Sequence, residues 1–257
     1  MPTPLPPRQT DIIELTHKTG RVNVEQLALH FNVTSQTIRK DLNDLCDRGL
    51  LQRVHGGAVL SSSVVNYGYK ARRELAAIEK RSIGLKAASL ITDNCSLFIN
   101  IGTTTEQVAK GLRGKNGVLA ISNNINVINI LYGDPGIDTI VAGGLVRHSD
   151  GGIVGEAAVD FIRQFKVDFA IIGASAIDED GSLLDYDYRE VKVAKAIIEN
   201  SRHTILVADS MKYERTAPVR IAHLSQMNTF VTDKKPSQRL IQVCRESDVE
   251  ILLSENT

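Results

Sequence analysis

Apolar residues recur at helical spacing in the first part of the chain. The segment Ile12–Leu15 supplies one apolar face and predicts a first helix that ends at Gly20, a residue that commonly breaks helices. A second helix is predicted after Asn23, because Gln26 follows three residues later in the pattern of a capping box. Two short helices are therefore expected before residue 32.

A third helix is predicted from Ser35 to about Asp47, with Thr34 as its N-cap. Its apolar residues Ile38, Leu42 and Leu45 fall at positions i, i+4 and i+7, which places them on one stripe. That stripe predicts which face of the helix is buried, and it leaves the opposite face to polar side chains.

Two short apolar segments then flank Gly56 and Gly57, which predicts a β-hairpin. Three helices followed by a hairpin predict a winged helix-turn-helix domain over residues 5–60. The polar stretch Ser61–Asn66 opens a predicted linker over residues 61–75. A second domain is expected over residues 76–257.

The second domain alternates apolar runs of strand length with amphipathic segments. It is introduced by a predicted long helix over Lys70–Leu90, whose outer face is charged and includes Lys80. Strands are predicted at Ser96–Ile101, Val118–Ile121, Thr139–Ala142, Phe169–Ile172, Thr204–Ala208, Thr229–Val231 and Glu250–Leu253. Helical patterns separate most of them, so we expect an α/β domain with a largely parallel sheet.

Composition narrows the class of protein. The chain has 30 Lys and Arg against 30 Asp and Glu, so any contact with DNA must come from a local basic surface. Three scattered cysteines and six histidines show no metal-ligand spacing, so reduced thiols and no metal are expected. The proline-rich leader Met1–Pro7 is not a signal peptide, and no apolar run is long enough to span a membrane. We expect a cytoplasmic protein.

The polar face of the third helix carries side chains that bond base edges and phosphates. Gln36 suits adenine, and Arg39 suits guanine or a phosphate. The candidate DNA-binding residues are Thr34, Ser35, Gln36, Thr37, Arg39, Lys40, Asn43 and, on the hairpin, Arg53 and His55. An ordinary solvated helix face is the alternative. Asp41, Asp44 and Asp47 predict a narrow surface that needs two operator half-sites, and hence a homo-oligomer, a dimer or a tetramer.

Glycine, hydroxyl, amide and charged residues follow the predicted strands, where parallel α/β sheets bind ligands. The turn Gly102–Thr105 joins a strand to a helix and offers backbone N–H groups and hydroxyls to an anion such as phosphate. An ordinary threonine N-cap is the alternative. The candidate ligand-binding residues are Gly102, Thr103, Thr104, Thr105, Asn123, Gly143, Gly144, Asp209 and Lys212. Turns of this kind favour glycine, asparagine and serine in any case.

Two other features have open interpretations. The glycine loop Asp150–Gly155 is either a lid or a connector. The segment Gly181–Asp187 predicts a hairpin edge, and its carboxylates Asp185 and Asp187 face either ligand hydroxyls or solvent.

These motifs together resemble the DeoR family of bacterial transcriptional repressors. The resemblance rests on Ser35–Leu42, Arg53–Ala58, Ile101–Thr105, Ser122–Asn124, Ala142–Gly144 and Ala208–Lys212, and it covers nearly the whole chain. It implies a repressor that a small phosphorylated metabolite releases from operator DNA. The segments Ser149–Glu156, Asp160–Phe165 and Asp180–Tyr188 resemble the members that control glycerol catabolism, which implies glycerol 3-phosphate as inducer.

The second domain also resembles ribose-5-phosphate isomerase. Gly102–Thr105 matches the phosphate loop of that enzyme, and Glu190 and Lys212 match its glutamate and lysine, which adds Glu190 to the ligand-binding candidates. Ile172 and Ser175 replace the two aspartates of its Asp-Gly-Ala-Asp segment. Isoleucine cannot act as a general base, so we expect a ligand sensor and neither catalytic residues nor a cofactor.

Two other functions remain as alternatives. The first is an isomerase-like enzyme with an accessory DNA-binding domain, which turnover of pentose phosphates would reveal. The second is a DNA-binding module whose α/β domain only oligomerises, which would leave operator affinity unchanged by glycerol 3-phosphate.

Overall fold

The computed structural model describes residues 5–19, 21–54, 56–60 and 68–254. The chain divides into two compact units between Ala77 and Ile78. The predicted linker at 61–75 lies partly outside the described residues, because these resume at Gly68. The predicted boundaries at residues 60 and 76 stay predictions.

The first unit is a small α/β domain. Its elements are α1 (Pro7–Thr19), β1 (Arg21–Asn23), α2 (Val24–His30), α3 (Ser35–Asp47), β2 (Leu51–Val54), β3 (Gly57–Leu60) and α4 (Tyr69–Glu74). The strands form an antiparallel sheet in the order β1-β3-β2, so the predicted hairpin has a third strand that the sequence did not indicate. Three helices with this sheet confirm the winged helix-turn-helix.

The predicted apolar stripe of α3 forms the core of the first unit. Ile38, Leu42 and Leu45 are fully buried, together with Ile12 of α1. The cap of α2 differs from the capping box predicted there. The side chain of Asn23 accepts the backbone N–H of Glu25, because two residues is the natural reach of a short amide in an Asx turn.

The second unit contains the remaining elements. Its helices are α5 (Ala77–Ser89), which starts on the last residue of the first unit, α6 (Thr103–Leu112), α7 (Ile125–Leu131), α8 (Glu156–Ile162), α9 (Tyr188–Glu199) and α10 (Gln238–Glu246). Its strands are β4 (Ser96–Ile99), β5 (Val118–Ser122), β6 (Ile137–Val141), β7 (Leu145–Val146), β8 (Ile153–Val154), β9 (Val167–Ile172), β10 (Ala176–Ile177), β11 (Ser182–Asp185), β12 (Ser201–Val207), β13 (Val219–His223), β14 (Thr229–Thr232) and β15 (Glu250–Leu253).

Seven of these described strands form one sheet in the order β15-β14-β12-β9-β4-β5-β6, and every neighbouring pair is parallel. The chain builds outward from β4 through β5 to β6, and then returns to the other side of β4 as β9. The strand order therefore reverses between β4 and β9. Open α/β sheets bind ligands at the carboxyl ends of the strands beside such a reversal.

The predicted parallel α/β domain is thus confirmed, with buried apolar clusters on both faces of the sheet. One cluster includes Phe98, Ile172 and Phe230, and the other includes Ile83, Leu97 and Val108. Parallel strands need both faces covered, which explains why they read as continuous apolar runs.

Two predicted elements differ from the structure. The long helix expected over Lys70–Leu90 is two helices, α4 and α5, because Ala76 between them has a left-handed φ of 49° that a helix cannot include. The predicted hairpin edge at Gly181–Asp187 holds β11, which is the central strand of a small antiparallel sheet in the order β10-β11-β13.

Within the described ranges, the helices are too short or too polar to cross a membrane. The three cysteines are free thiols, and Cys95 and Cys244 are buried.

Candidate functional site

The exposed face of α3 carries the longest of the predicted DNA-binding side chains. Gln36, Arg39, Lys40 and Asn43 are all exposed, and Ser35 is partly exposed. Their positions follow from the buried stripe on the opposite side of the helix. This arrangement presents the polar groups of α3 to a partner.

Two predicted contact residues instead build the start of α3. Thr34 is the N-cap, and its hydroxyl accepts the backbone N–H of Thr37 at 3.2 Å and lies 2.9 Å from the Thr37 hydroxyl. Both side chains retain access to solvent. A role in DNA binding for Thr34 and Thr37 stays a prediction, and their role in fixing the helix start is clear from the geometry.

Two of the acidic residues of α3 bond to other side chains of the first unit. Asp41 is buried, and its carboxylate accepts from Nε of Arg8 at 2.6 Å. Asp44 accepts from the Gln9 amide at 3.0 Å and from Nε of Arg48 at 3.1 Å. These two carboxylates are engaged by α1 and the end of α3, whereas Asp47 is exposed. The narrow surface stays a prediction.

The hairpin contributes one described candidate. Arg53 lies on β2 and is exposed. His55 lies outside the described residues, so its predicted contact with DNA stays a prediction. Arg53, Arg39 and Lys40 supply three exposed positive charges in a unit that binds through a local surface.

The turn Gly102–Thr105 lies where β4 ends, beside the reversal in strand order. Gly102 has a φ of 156°, and a Cβ there would approach the Thr105 hydroxyl to 3.2 Å, so the turn requires glycine. Thr103, Thr104 and Thr105 form the first turn of α6 and are buried. Their backbone N–H groups lie at a helix N-terminus, which favours an anion.

The three threonine hydroxyls differ in their use. Thr105 Oγ1 donates to the carbonyls of Asn100 at 2.7 Å and of Gly102 at 2.8 Å. The Thr105 hydroxyl proton is therefore used to stabilise the backbone of the turn. Direct contact of Thr103 and Thr104 with a ligand stays a prediction.

Three buried oxygen atoms at the same edge of the sheet have no hydrogen-bond partner. They are Oδ1 of Asn100 after β4, Oδ1 of Asn123 after β5 and Oδ2 of Asp209 after β12. Each residue is at most 2% exposed. Buried polar atoms normally have partners, and these three are all acceptors, so they suit a molecule that donates hydroxyl protons.

Asp209 is surrounded by positive charge. Burial alone would raise the pKa of its carboxyl group, but Lys212, Lys80 and Arg215 outweigh burial and lower it. Asp209 is therefore ionised near neutral pH. The predicted pairing of Asp209 with Lys212 has this electrostatic basis, and Lys80 and Arg215 are additions that the sequence did not indicate.

Glu190 is held by an arginine that sequence reasoning missed. Arg147, in the loop between β7 and β8, donates to Glu190 at 2.6 Å, to Asp187 at 2.8 Å and to Asp150 at 2.7 and 2.8 Å. Burial opposes the charge of Arg147, but these carboxylates raise its pKa. Glu190 thus orients Arg147, and direct ligand contact by Glu190 stays a prediction.

The neighbouring acidic residues are also engaged by the protein. Burial would raise the pKa of Asp187, but bonds from the Arg189 side chain and backbone and from Arg147 lower it to about 2. Asp185 accepts from the Ser175 hydroxyl at 2.9 Å and from the Tyr186 backbone N–H at 2.6 Å. The carboxylates of Asp185 and Asp187 therefore bond to protein groups and do not simply face solvent, which was one of the two alternatives. Contact with ligand hydroxyls stays a prediction.

The remaining predicted positions lie further from the reversal. Gly143 and Gly144 follow β6, two strands from β4, and both are exposed. A Cβ at Gly144 would lie 3.0 Å from the Ile153 side chain, so this glycine allows β8 to pack closely. Among the described residues, no group of three His, Cys, Asp or Glu side chains is placed to hold a metal.

Comparison with known proteins covers both units. Residues 8–64 match the DeoR-like helix-turn-helix domain, and residues 76–234 match the DeoR C terminal sensor domain. The glycerol-3-phosphate regulon repressor of Escherichia coli (strain K12) is 45% identical over 246 residues, which cover 96% of this chain and 98% of that protein. The HTH-type transcriptional repressor CsqR of the same organism is 36% identical over 249 residues, 97% of this chain and 95% of that protein.

A solved structure matches part of the fold. Ribose 5-phosphate isomerase from Plasmodium falciparum has a TM-score of 0.39 at 18% sequence identity, over 54% of this chain and 53% of that one. The two domain matches and the full-length relatives decide the family. The chain belongs to the DeoR family of DNA-binding transcriptional regulators, and it is a regulator rather than an enzyme.

Proposed function

We propose that this regulator represses genes of glycerol 3-phosphate catabolism and that glycerol 3-phosphate releases it from its operator. The observation that carries this proposal is the pairing, at one edge of the sheet, of a helix N-terminus and buried cations with three unpartnered acceptor oxygens. A phosphate would bind the helix N-terminus and the cations. Hydroxyl groups of the ligand would donate to the three oxygens. The name of the 45% identical relative supports the glycerol compound among such ligands.

Each chemical part of the ligand has a proposed set of partners. The phosphate would bind the Gly102–Thr105 turn, where Thr103 and Thr104 add hydroxyl donors to the backbone N–H groups. The hydroxyls would donate to Asn123 and Asp209, whose buried oxygens lack partners. Lys212 would balance the charge of Asp209. Glu190 would act through Arg147.

The DNA-binding part rests on the exposed face of α3. Gln36, Arg39, Lys40 and Asn43 would enter the major groove, and Arg53 would meet the backbone. One such head offers few charges, so we propose a homo-oligomer that reads two half-sites in the cytoplasm. The ligand releases DNA only if it binds the DNA-free state more tightly, by linkage between the two sites.

Operator binding titrated with phosphorylated compounds of three to six carbons tests the proposal. We expect glycerol 3-phosphate to release the operator at the lowest concentration of the panel, and glycerol without phosphate to have no effect. If no member of the panel changes operator affinity or thermal stability, the second unit only oligomerises and the proposal fails.

A pair of substitutions tests the division of labour. Arg39→Ala should weaken operator binding about tenfold and leave ligand affinity unchanged, since one charged contact with DNA is lost. Thr104→Ala should reduce ligand affinity about tenfold and leave operator binding unchanged. Lys110→Ala, on the exposed side of α6, serves as the control for both assays. Equal damage to both activities by either variant, in a folded protein, would contradict the two-site assignment.

A further inference from the structure

Lys80 is a buried lysine in a helix that the sequence predicted to present its charges to solvent. Its relative exposure is 3%, whereas Lys86 of the same helix is exposed. A buried ammonium group is costly unless charged or polar groups compensate it. The packing of α5 against α6 explains why Lys80 is buried.

Helices α5 and α6 run side by side in the same direction at very short range. A Cβ at Gly84 would lie 2.6 Å from the backbone carbonyl carbon of Gln107, and a Cβ at Gly111 would lie 2.8 Å from the Ala88 side chain. Residue 84 is thus aligned with residue 107, and residue 88 with residue 111. Two glycines, one on each helix, allow this close approach.

The same alignment locates Lys80. It lies one helical turn before Gly84, and Thr103 lies one turn before Gln107. Extended by one turn, the alignment sets Lys80 level with Thr103 in the first turn of α6, where the Gly102–Thr105 turn lies. Glu106, in the same first turn of α6, is also buried and accepts from the Asn126 amide at 3.2 Å.

An electrostatic effect also links Lys80 to the residue that follows β12. Lys80 acts electrostatically on Asp209 after β12, together with Lys212 and Arg215. Three cations thus surround one carboxylate at the edge where α6 begins. An anion that enters this site would meet an excess of positive charge from both directions.

We propose that the ammonium group of Lys80 binds the phosphate of the ligand at the Gly102–Thr105 turn. This assignment rests on the proposed function and adds a residue from α5, outside every motif that the sequence analysis selected. The ammonium group of Lys80 would bind the phosphate from α5, while the backbone N–H groups of the turn bind it at the N-terminus of α6. A neutral polyol without phosphate would not use Lys80.

Isothermal titration of four full-length proteins tests this assignment. The proteins are the wild type, Lys80→Met, Lys80→Arg and the control Lys86→Met, each titrated with glycerol 3-phosphate and with inorganic phosphate. We expect Lys80→Met to lose at least tenfold in affinity for both, the usual effect of one charge-assisted hydrogen bond. Lys80→Arg should stay within about threefold of the wild type, and Lys86→Met should equal it.

A crystal of the wild-type protein soaked in inorganic phosphate gives a test that does not depend on a variant that folds. Phosphate within hydrogen-bond distance of Lys80 and of the α6 N-terminus supports the assignment. Phosphate bound elsewhere in the site overturns it, as does equal binding by wild type and a folded Lys80→Met.

The outcomes also separate the two proposals. If the wild type binds glycerol 3-phosphate and Lys80→Met binds it equally well, only the role of Lys80 fails. If the wild type ignores glycerol 3-phosphate but binds inorganic phosphate with a Lys80-dependent affinity, the role of Lys80 stands and the proposed inducer is wrong.

Discussion

At the scale of single residues, both units depend on positions where no other side chain fits. Gly57 is the clearest case in the DNA-binding unit. It pairs with Asn23 of β1 and Val54 of β2, and a Cβ there would lie 1.9 Å from the backbone carbonyl oxygen of Val22. Glycine is therefore what allows three strands to meet behind the predicted wing.

Gly57→Ala should destabilise the first unit by about 3 kcal/mol, because the overlap is with a backbone atom that cannot move without breaking the ladder. We expect operator binding to be lost and glycerol 3-phosphate binding to persist. Circular dichroism melting and the two binding assays would measure this.

Gly68→Ala is the matched control for that experiment, since a Cβ at Gly68 meets no atom within 4 Å. It should melt like the wild type. A Gly57→Ala protein with unchanged stability would show that β1 does not pack against β3 as described.

The burial of polar and charged side chains was harder to predict from the sequence than the positions that require glycine. Lys80 belongs to an amphipathic pattern in which most charges do face solvent, and only the close packing of α5 on α6 distinguishes it. Asn100 stands at the end of a predicted strand, and nothing local indicates that its oxygen is buried without a partner. Such facts arise from contacts distant in sequence.

At the scale of elements, β7 is held by charge more than by apolar contact, whereas its partner β8 is buried. Leu145 and Val146 of β7 are exposed, so little apolar surface holds that strand. Arg147 instead ties the loop that follows to Asp187 and Glu190 at the start of α9. The glycine loop Asp150–Gly155 is thus held at one end by the Arg147–Asp150 pair.

Arg147→Met should destabilise the second unit by about 3 kcal/mol at neutral pH, because three carboxylates lose a buried partner. The loss should shrink as the pH falls, since unpaired carboxylates have raised pKa values and are protonated first. Urea unfolding at pH 7.5 and pH 5 would measure both effects.

Arg163→Met is the control for that comparison. Arg163 lies 3.8 Å from Asp160 in a pair that is more than half exposed on both sides, so its loss should cost about 0.5 kcal/mol or less. Equal effects of the two substitutions at pH 7.5 would mean that the Arg147 network does not hold the hairpin.

The sequence predicted the seven strands of the large sheet because each contains apolar residues in a segment of strand length, and the central strands are covered on both faces. It did not predict β1, β7, β8, β10 or β13, which have only two to five residues each. Short strands form only where a partner strand is already in place, as β1 does beside β3. The break at Ala76 was also invisible, since alanine favours helix and its left-handed conformation depends on context.

At the scale of the whole molecule, charge balance decides how DNA must be bound. The 30 positive and 30 negative side chains leave no general attraction to nucleic acid. The described exposed cations of the candidate DNA surface are Arg39, Lys40 and Arg53, three for each head. The proposed homo-oligomer would add the charges of a second head, and base contacts by residues such as Gln36 would add further affinity.

This count predicts the salt dependence of operator binding. Six phosphate contacts from two heads should give a slope of about −5 for the logarithm of the association constant against the logarithm of salt concentration. Arg53→Ala should reduce the magnitude of the slope by about 2, because each of the two heads loses one phosphate contact. This reduction should be the same for every operator sequence. Arg39→Ala should in addition relax base preference if the guanidinium reads guanine. Fluorescence anisotropy over about 50–300 mM salt measures the slope, and Lys86→Ala is the control. A slope near −10 would mean that the operator binds a much larger basic surface than α3 and β2 provide.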